Sequence, residues 1–505
     1  MNDINYVVIQ AGGVGSRMGS YTNNKPKCMV SYNNKPIIQH TLDYFSDKKI
    51  FIICDYKKEL LKTYITDILK YDVTFIDPKE KSTTSGLKEL YDLIPNDEGF
   101  VYLWSDLILT KKIDFFVDKN IDVFLTNDLV CRWSVIDGKM VKVSNNKNGI
   151  AGLFVFKNKN VIKDLNSDVS FVGGNLINLN QHNVGFKYVE GLMEIGTEEF
   201  YEKLILDSNK CRFFNEVKIT DNVVYKKCID NNYSSLIDNE INWYLFLNNK
   251  NFIDFIPNLI SESPFCISKI DGKHVFELSL TYKDKQHIIE SIIDNLNKLH
   301  SISTIKGNND DLIDVYQNKT LKRVSSVKDI IPYYENEIIT INGYNCKNPF
   351  NKKHLESFIN SISFLFINEY HVIHGDPTFS NLLIDTNNKS YFIDPRGIFG
   401  KTKIYGDKNY DWAKLFYSVN GNYDSINSKK FNVKFDEKNI VLDIKSNGFE
   451  EFSDLIIQKS GMSKELMNLH QSLIWLSLTG YVKEDYDAIL YSFYYGILLW
   501  NLSQD

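Results

Sequence analysis

The sequence predicts an α/β domain on a mixed, mostly parallel sheet, followed by a second, two-lobed α+β domain. Three observations predict it. Short apolar runs alternate with segments of helical spacing from about residue 5 to residue 104, the pattern of strands linked by crossover helices. Two candidate strands joined by an Asp-Asn turn lie at 216–220 and 223–227. Helical periodicity then dominates from about Lys285 onward. A chain of 505 residues allows two to four domains.

Residues 5–10 form a β-rich run that ends in glycines. Residues 36–46 carry apolar side chains at helical spacing. Lys49 to Cys54 reads as a buried strand, Lys58 to Leu69 as a helix, Val73 to Ile76 as a strand and Gly86 to Leu93 as a helix. Phe100 to Trp104 is a strand that ends at Ser105-Asp106. Ligands of such sheets sit beyond the carboxyl ends of the strands, where the glycines and Asp106 fall. Further on, helices are expected at Ile288 to Leu299, Lys353 to Ile367, Lys464 to Leu478 and Asp485 to Trp500. The best boundary is Leu206 to Cys211. It divides the chain into 1–208 and 209–505, the latter with a small lobe to about 275 and a helical lobe from 276.

Bulk properties narrow the function. A net charge of -6 provides no general attraction to nucleic acid or anionic membrane. Seven cysteines without C-x-x-C spacing argue against zinc or a disulfide framework and favour a reducing, cytoplasmic setting. No signal peptide is visible, and the apolar stretch Ala488 to Trp500 is too short to cross a bilayer.

At the N-terminus the strand runs into Ala11-Gly12-Gly13-Val14-Gly15-Ser16-Arg17, with Lys25-Pro26-Lys27 about ten residues later. Glycines let backbone N–H groups approach phosphate oxygens, and a following helix N-terminus adds its dipole. Arg17 and Lys27 can neutralise charge on a leaving pyrophosphate. A dinucleotide site is excluded. The glycines do not keep G-x-G-x-x-G spacing, and no acid lies between residues 4 and 42.

This segment resembles the sugar-phosphate and phosphocholine nucleotidyltransferases, whose fingerprint is A-x-G-x-G-x-R followed by P-K. The resemblance covers roughly residues 5–205 and implies a Rossmann-like nucleotidyltransferase fold. It implies nucleotide binding by Ala11, Gly12, Gly13, Gly15 and Arg17, catalysis by Arg17 and Lys27, and Mg²⁺ on Asp106. Met193-Glu194-Ile195-Gly196-Thr197 is similar to the acidic-x-Gly-Thr motif of the sugar-nucleotide branch. It implies Glu194, in place of the commoner Asp, as a second Mg²⁺ ligand. Lys81 to Leu87, with Gly86, falls where the base-recognition loop of that family lies.

Near the C-terminus, His374-Gly375-Asp376 is followed by Asn381 and by Ile393-Asp394-Pro395-Arg396. Phosphoryl transfer to an alcohol needs a carboxylate at the hydroxyl, metal ligands and a cation on the nucleotide. Asp376 is placed for the first role, and Asn381 and Asp394 for Mg²⁺. The His-Gly-Asp form resembles aminoglycoside and choline kinases, and implies a two-lobed protein-kinase-like domain that also contains Leu299-His300. An upstream Lys–Glu pair is expected to bind the nucleotide. Lys227 and Glu240 are the choice, with Lys226 the rival because strand neighbours face opposite sides. His374 reads as a brace for its loop, and Asp411 as a helix cap that also braces it. Tyr491 to Tyr495 reads as core, with an aromatic cage for a quaternary ammonium as the alternative.

A kinase makes the phosphate ester that a nucleotidyltransferase consumes. The sequence therefore predicts a bifunctional enzyme using ATP, CTP and Mg²⁺ at both sites. It would phosphorylate a small alcohol and convert it to a CDP-alcohol for surface polysaccharide decoration. One alternative is an anomeric sugar kinase with an NDP-sugar pyrophosphorylase. Another is a module that only senses nucleotide. Expected partners are small alcohols or sugars and nucleoside triphosphates, with no nucleic acid and no membrane insertion; a homo-oligomer is compatible.

Overall fold

A computed structural model describes residues 4–80, 82–163, 165–177, 184–207, 215–230, 233–250 and 254–504. Lys81 and residues 208–214, which include Cys211 of the expected boundary, lie outside them. The chain divides into two compact units. One comprises Met1–Ser208 with Glu484–Tyr486, the other Asn209–Lys483 with Asp487–Asp505.

The first unit is built on seven principal strands: β1 (Tyr6–Gln10), β2 (Lys49–Ile53), β3 (Thr74–Ile76), β4 (Phe100–Trp104), β5 (Ile121–Thr126), β6 (Gly149–Phe156) and β7 (Val184–Tyr188). Their order is β3-β2-β1-β4-β6-β5-β7. The first four are mutually parallel, β6 is antiparallel to β4 and β5, and β7 returns parallel to β5. The result is a Rossmann-like, mixed, mostly parallel sheet. β1 has a parallel neighbour on each edge, so Val7, Val8 and Ile9 are completely buried. That explains a continuous apolar run instead of an alternating one. Phe100 and Phe156 face each other in register across β4 and β6, and their rings stack at 4.5 Å.

Helix α1 (Ile37–Tyr44) buries Ile37, Ile38, Thr41 and Leu42, one stripe of a 3.6-residue period. The helix expected from residue 58 is α-helical only over Lys58–Thr63 and widens over Tyr64–Ile68. The one expected from residue 86 is confined to Ser85–Glu89. A side chain at Gly86 would fall 2.2 Å from Ile53 of β2, so glycine lets this helix lie directly on the sheet. Helix α2 (Glu198–Asp207) closes the unit.

The second unit opens with a four-stranded antiparallel sheet of β8 (Asn215–Ile219), β9 (Val223–Cys228), β10 (Leu259–Glu262) and β11 (Phe265–Ser268), in the order β8-β9-β11-β10. Between β9 and β10 lies α3 (Ser234–Asn248). The helices after it include α4 (Tyr282–His300), α5 (Lys408–Val419), α6 (Lys464–Thr479) and α7 (Tyr486–Leu502). A second four-stranded sheet, from Ile338–Ile341, Tyr344–Lys347, Phe431–Asp436 and Asn439–Ile444, was not foreseen. A short hairpin, Leu382–Ile384 with Ser390–Phe392, carries the segments that begin at Asp376 and end at Asp394. Tyr491, Phe493 and Tyr494 are buried, and Trp475 of α6 packs on Tyr491 and Tyr495. The packing reading of this run therefore holds. No helix among the described residues is long and apolar enough to cross a membrane.

Candidate active sites

In the first unit the loop after β1 is held at both ends and open between them. The Ala11 amide donates to Ile53 O at 2.8 Å, which extends the sheet by one residue. The Thr22 hydroxyl donates to Gly15 O at 3.2 Å. Among the described residues the N–H groups of Gly12, Gly13, Val14 and Gly15 have no acceptor. Four adjacent unused donors form a ready seat for phosphate oxygens. A side chain at Gly13 would meet nothing within 4 Å, whereas Gly15 has φ 75° and its added Cβ would sit 2.9 Å from Lys27 Cβ. The α-helix N-terminus expected after the glycines is instead a 3₁₀ segment, Ser16–Thr22, kinked where Gly19 adopts φ 53° and ψ -131°. Its dipole contribution is accordingly small.

Four charged side chains from distant parts of this unit meet beside that loop. Pro26 starts a short 3₁₀ turn that presents Lys27, whose Nζ lies 2.5 Å from Asp106 Oδ2. Arg17 Nη2 lies 3.5 Å from Glu194 Oε1. Leu107–Leu109 pairs with Leu192–Glu194, opposing Glu194 to Leu107, and the Ile195 amide donates to Asp106 O at 3.0 Å. This small ladder brings the two acids together across almost ninety residues of sequence. Burial raises the Glu194 pKa, and the facing Asp106 raises it further against Lys27 and Arg17. Asp106 Oδ1 is buried without a hydrogen-bond partner among the described residues. An orphaned carboxylate oxygen beside a second carboxylate is a donor set that suits Mg²⁺, which takes one or two carboxylates and completes its shell with phosphate oxygens and water. Among the described residues no group of three or more His, Cys, Asp or Glu forms an all-protein metal cage.

In the second unit Lys226 of β9 donates to both Glu240 oxygens, at 3.0 and 2.7 Å, and to Asp394 Oδ1 at 2.7 Å. Lys227 is exposed and faces away. The choice of Lys227 is thus corrected to Lys226. Adjacent strand residues point to opposite faces, and only the face of Lys226 meets α3. Burial alone pulls the Lys226 pKa down, but Asp394 and Glu240 outweigh it and leave it raised. Asp394 has φ 56°.

Asp376 and Asn381 share one loop, and the Asn381 amide group donates to Asp376 O at 2.8 Å. The Asn381 side-chain oxygen then remains the atom suited to a cation, as does the half-exposed Asp394 carboxylate. His374 is completely buried. Its Nδ1 accepts from the Asp376 amide at 3.2 Å and its Nε2 donates to Ile393 O at 3.0 Å. Burial lowers its pKa, and the neutral ring ties the Asp376 segment to the Asp394 segment.

Asp411 sits in the first turn of α5 but does not cap it. Asp407 is the cap and accepts from the Asn409 amide at 2.8 Å. Asp411 receives the His374 and Gly375 amides at 2.8 and 2.7 Å and lies 3.1 Å from His300 Nε2. The brace foreseen for Asp411 is present; the cap belongs four residues earlier.

Sequence reasoning missed a cavity beside Asp376 that is lined by Lys319, Arg323, Arg396 and Lys414. Lys319 and Arg323 stand at i and i+4 on one helix, the single local signal that could have revealed it.

Comparison with known proteins bears on the first unit. Residues 6–126 match the nucleotidyl transferase family model. The chain is 28% identical over 138 residues to glucose-1-phosphate cytidylyltransferase of Salmonella typhimurium, covering 22% of this chain and 54% of that one. It is 30% identical to ribitol-5-phosphate cytidylyltransferase of Vibrio parahaemolyticus, covering 24% and 52%. It is 36% identical over 81 residues to CTP:phosphoglutamine cytidylyltransferase of Campylobacter jejuni, covering 15% and 31%. The chain thus spans about half the length, or less, of these curated relatives. Among solved structures, HddC from Yersinia pseudotuberculosis is 23% identical with a TM-score of 0.35, covering 40% of this chain and 98% of that one. The N-terminal part thus resembles the nucleotidyltransferases, the sugar-phosphate cytidylyltransferases among them.

Proposed function

We propose that the first unit transfers a nucleotidyl group, with CTP as donor, to a phosphate ester, and that the second makes that ester from an alcohol and ATP. The observation that carries the first half is the meeting of Lys27, Arg17, Asp106 and Glu194 beside four unused backbone donors. The N–H groups of Gly12 to Gly15 seat the triphosphate. Lys27 and Arg17 hold phosphate oxygens while an oxygen of the ester attacks the α-phosphorus and the bond to pyrophosphate breaks. Asp106 and Glu194 would hold Mg²⁺, which supplies charge neutralisation on the phosphates. The names of all three relatives specify cytidylyl transfer, which supports CTP.

For the second half, Lys226 anchored on Glu240 serves the nucleotide phosphates. The acceptor oxygen bonds the γ-phosphorus, the bond to the β,γ-bridging oxygen breaks, ADP leaves, and the hydroxyl proton passes to Asp376. Asn381 and Asp394 would hold the Mg²⁺ of this site. The kinase half rests on these residues and their geometry alone.

A second reading makes the ester a sugar 1-phosphate. The acidic-x-Gly-Thr motif at Glu194 and the glucose-1-phosphate relative favour it. ³¹P NMR of the protein with ATP, CTP, Mg²⁺ and a panel of alcohols tests both. A diphosphodiester that requires both nucleotides is the expected result. Products formed only from sugars with other nucleotides would favour the second reading, and coupling without any ATP-dependent step would remove the kinase half.

A further inference from the structure

The cavity beside Asp376 has a charge pattern at odds with a choline-like acceptor. Lys414 Nζ lies 3.1 Å from Asp376 Oδ1. Arg396 Nη1 donates to the Tyr410 hydroxyl at 3.3 Å. Arg323 Nη1 donates to Ser477 O at 3.1 Å, and Lys319 lies over the Tyr410 ring. Among the described lining residues, four cations face one carboxylate, Asp376. Neither Lys319 nor Arg323 has an ion-pair partner among the described residues.

Resting on the reading of this unit as an alcohol kinase, we infer that its acceptor is an anion: a small alcohol that also carries a carboxylate or phosphate group. A quaternary ammonium entering here would meet a lining in which four cationic side chains outnumber one carboxylate, and a neutral alcohol would bring no carboxylate or phosphate to Lys319 and Arg323. Partly enclosed cations lacking a partner are costly, and a bound anion removes that cost through charge-assisted hydrogen bonds. An Arg is suited to hold a carboxylate or phosphate in a fixed orientation, which would place the hydroxyl at Asp376. The nucleotide is the less suitable occupant, because Lys226, Asn381 and Asp394 do not line this cavity. Burial, with Arg396, Arg323 and Lys414, brings Lys319 down to about 8 against the opposing effect of Tyr410. Burial pushes Tyr410 up, but Lys319, Lys414 and Arg396 draw it down to about 7.

The test uses the full-length protein and four probes of similar size: D-glycerate, glycerol 3-phosphate, glycerol and choline. Calorimetric binding and ATP-dependent ADP release are both measured. One of the two anions is expected to bind at least tenfold more tightly than glycerol and to have the highest kcat/KM; which one tells carboxylate from phosphate. Arg323→Ala and Lys319→Met should each remove most of that advantage, and Arg323→Lys should restore part of it. Glycerol or choline equal to or better than both anions would overturn the inference and leave the kinase reading standing. Anion binding lost in Arg323→Ala but never accompanied by phosphoryl transfer would uphold the anion site and remove the kinase. Binding of none of the probes, or displacement of the anions by ADP alone, would overturn the anionic acceptor.

Discussion

Replacing Lys226 by Met should be far more damaging than replacing its neighbour Lys227. The side chains of Lys226 and Glu240 are only 8% and 7% exposed, and the lysine reaches both Glu240 oxygens. Removing one partner of a buried pair leaves an uncompensated charge and costs about 3–5 kcal/mol. Asp394, 47% exposed, can be solvated when the lysine is removed, whereas Glu240 cannot. Lys227 lies on the solvent face, where substitutions are worth within about 0.5 kcal/mol. The two units need not unfold together, so the suitable measurement is hydrogen exchange of the α3 amides. Lys226→Met should lower their opening free energy by that amount, and adding Glu240→Gln should recover much of it. ATP-dependent ADP release should fall on the order of 10²–10³-fold in Lys226→Met and barely change in Lys227→Met. Equal losses from the two lysines, or a larger loss from Lys227→Met, would refute the assignment of the buried pair.

Lys27→Ala should abolish nucleotidyl transfer to a supplied phosphate ester while ADP release continues, and Asp376→Asn should do the reverse; ³¹P NMR separates the two. Asp411→Ala leaves the buried His374 and Gly375 amides without acceptors, at about 1–3 kcal/mol each, and should destabilise the Asp376 loop as read by its hydrogen exchange. Gly15→Ala forces an L side chain into φ 75° against Lys27, so it should cost about 1–2 kcal/mol in the melting of the first unit and raise KM for the nucleotide. Neither His470 ring nitrogen has a partner among the described residues, and burial holds its pKa down to about 3. The unfolded chain takes that proton near pH 6.5 and the folded chain does not. Stability is therefore retained above pH 6.5 and falls by about 1.4 kcal/mol per pH unit below it. Denaturation of His470→Leu across pH 4.5 to 7 should lack this part of the slope.

Local signals carried much of the first unit and both candidate loops. β1 with its glycines, α1 and β2 were legible because buried parallel strands and amphipathic helices each imprint a distinct period. The later strands β5, β6 and β7 left no such imprint. Their pairing reverses direction and joins residues far apart in sequence, which no local window reports. Lys226 and Lys227 could not be ranked from a strand alone, since both fit its alternation until α3 defines the inner face. Asp411 misled for a similar reason. An acid in the first turn of a helix looks like a cap, yet Asp407 fills that role and frees Asp411 to hold His374 and Gly375. The cationic cavity was invisible because it combines Lys319, Arg323, Arg396 and Lys414 from three separate segments.

The pairing of Lys27 with Asp106 and of Arg17 with Glu194 has a consequence for the order of assembly. On the proposed reading, each cation would exchange its carboxylate for a phosphate oxygen, and each carboxylate released in this way would turn to the metal ion. Nucleotide and metal would then each make room for the other.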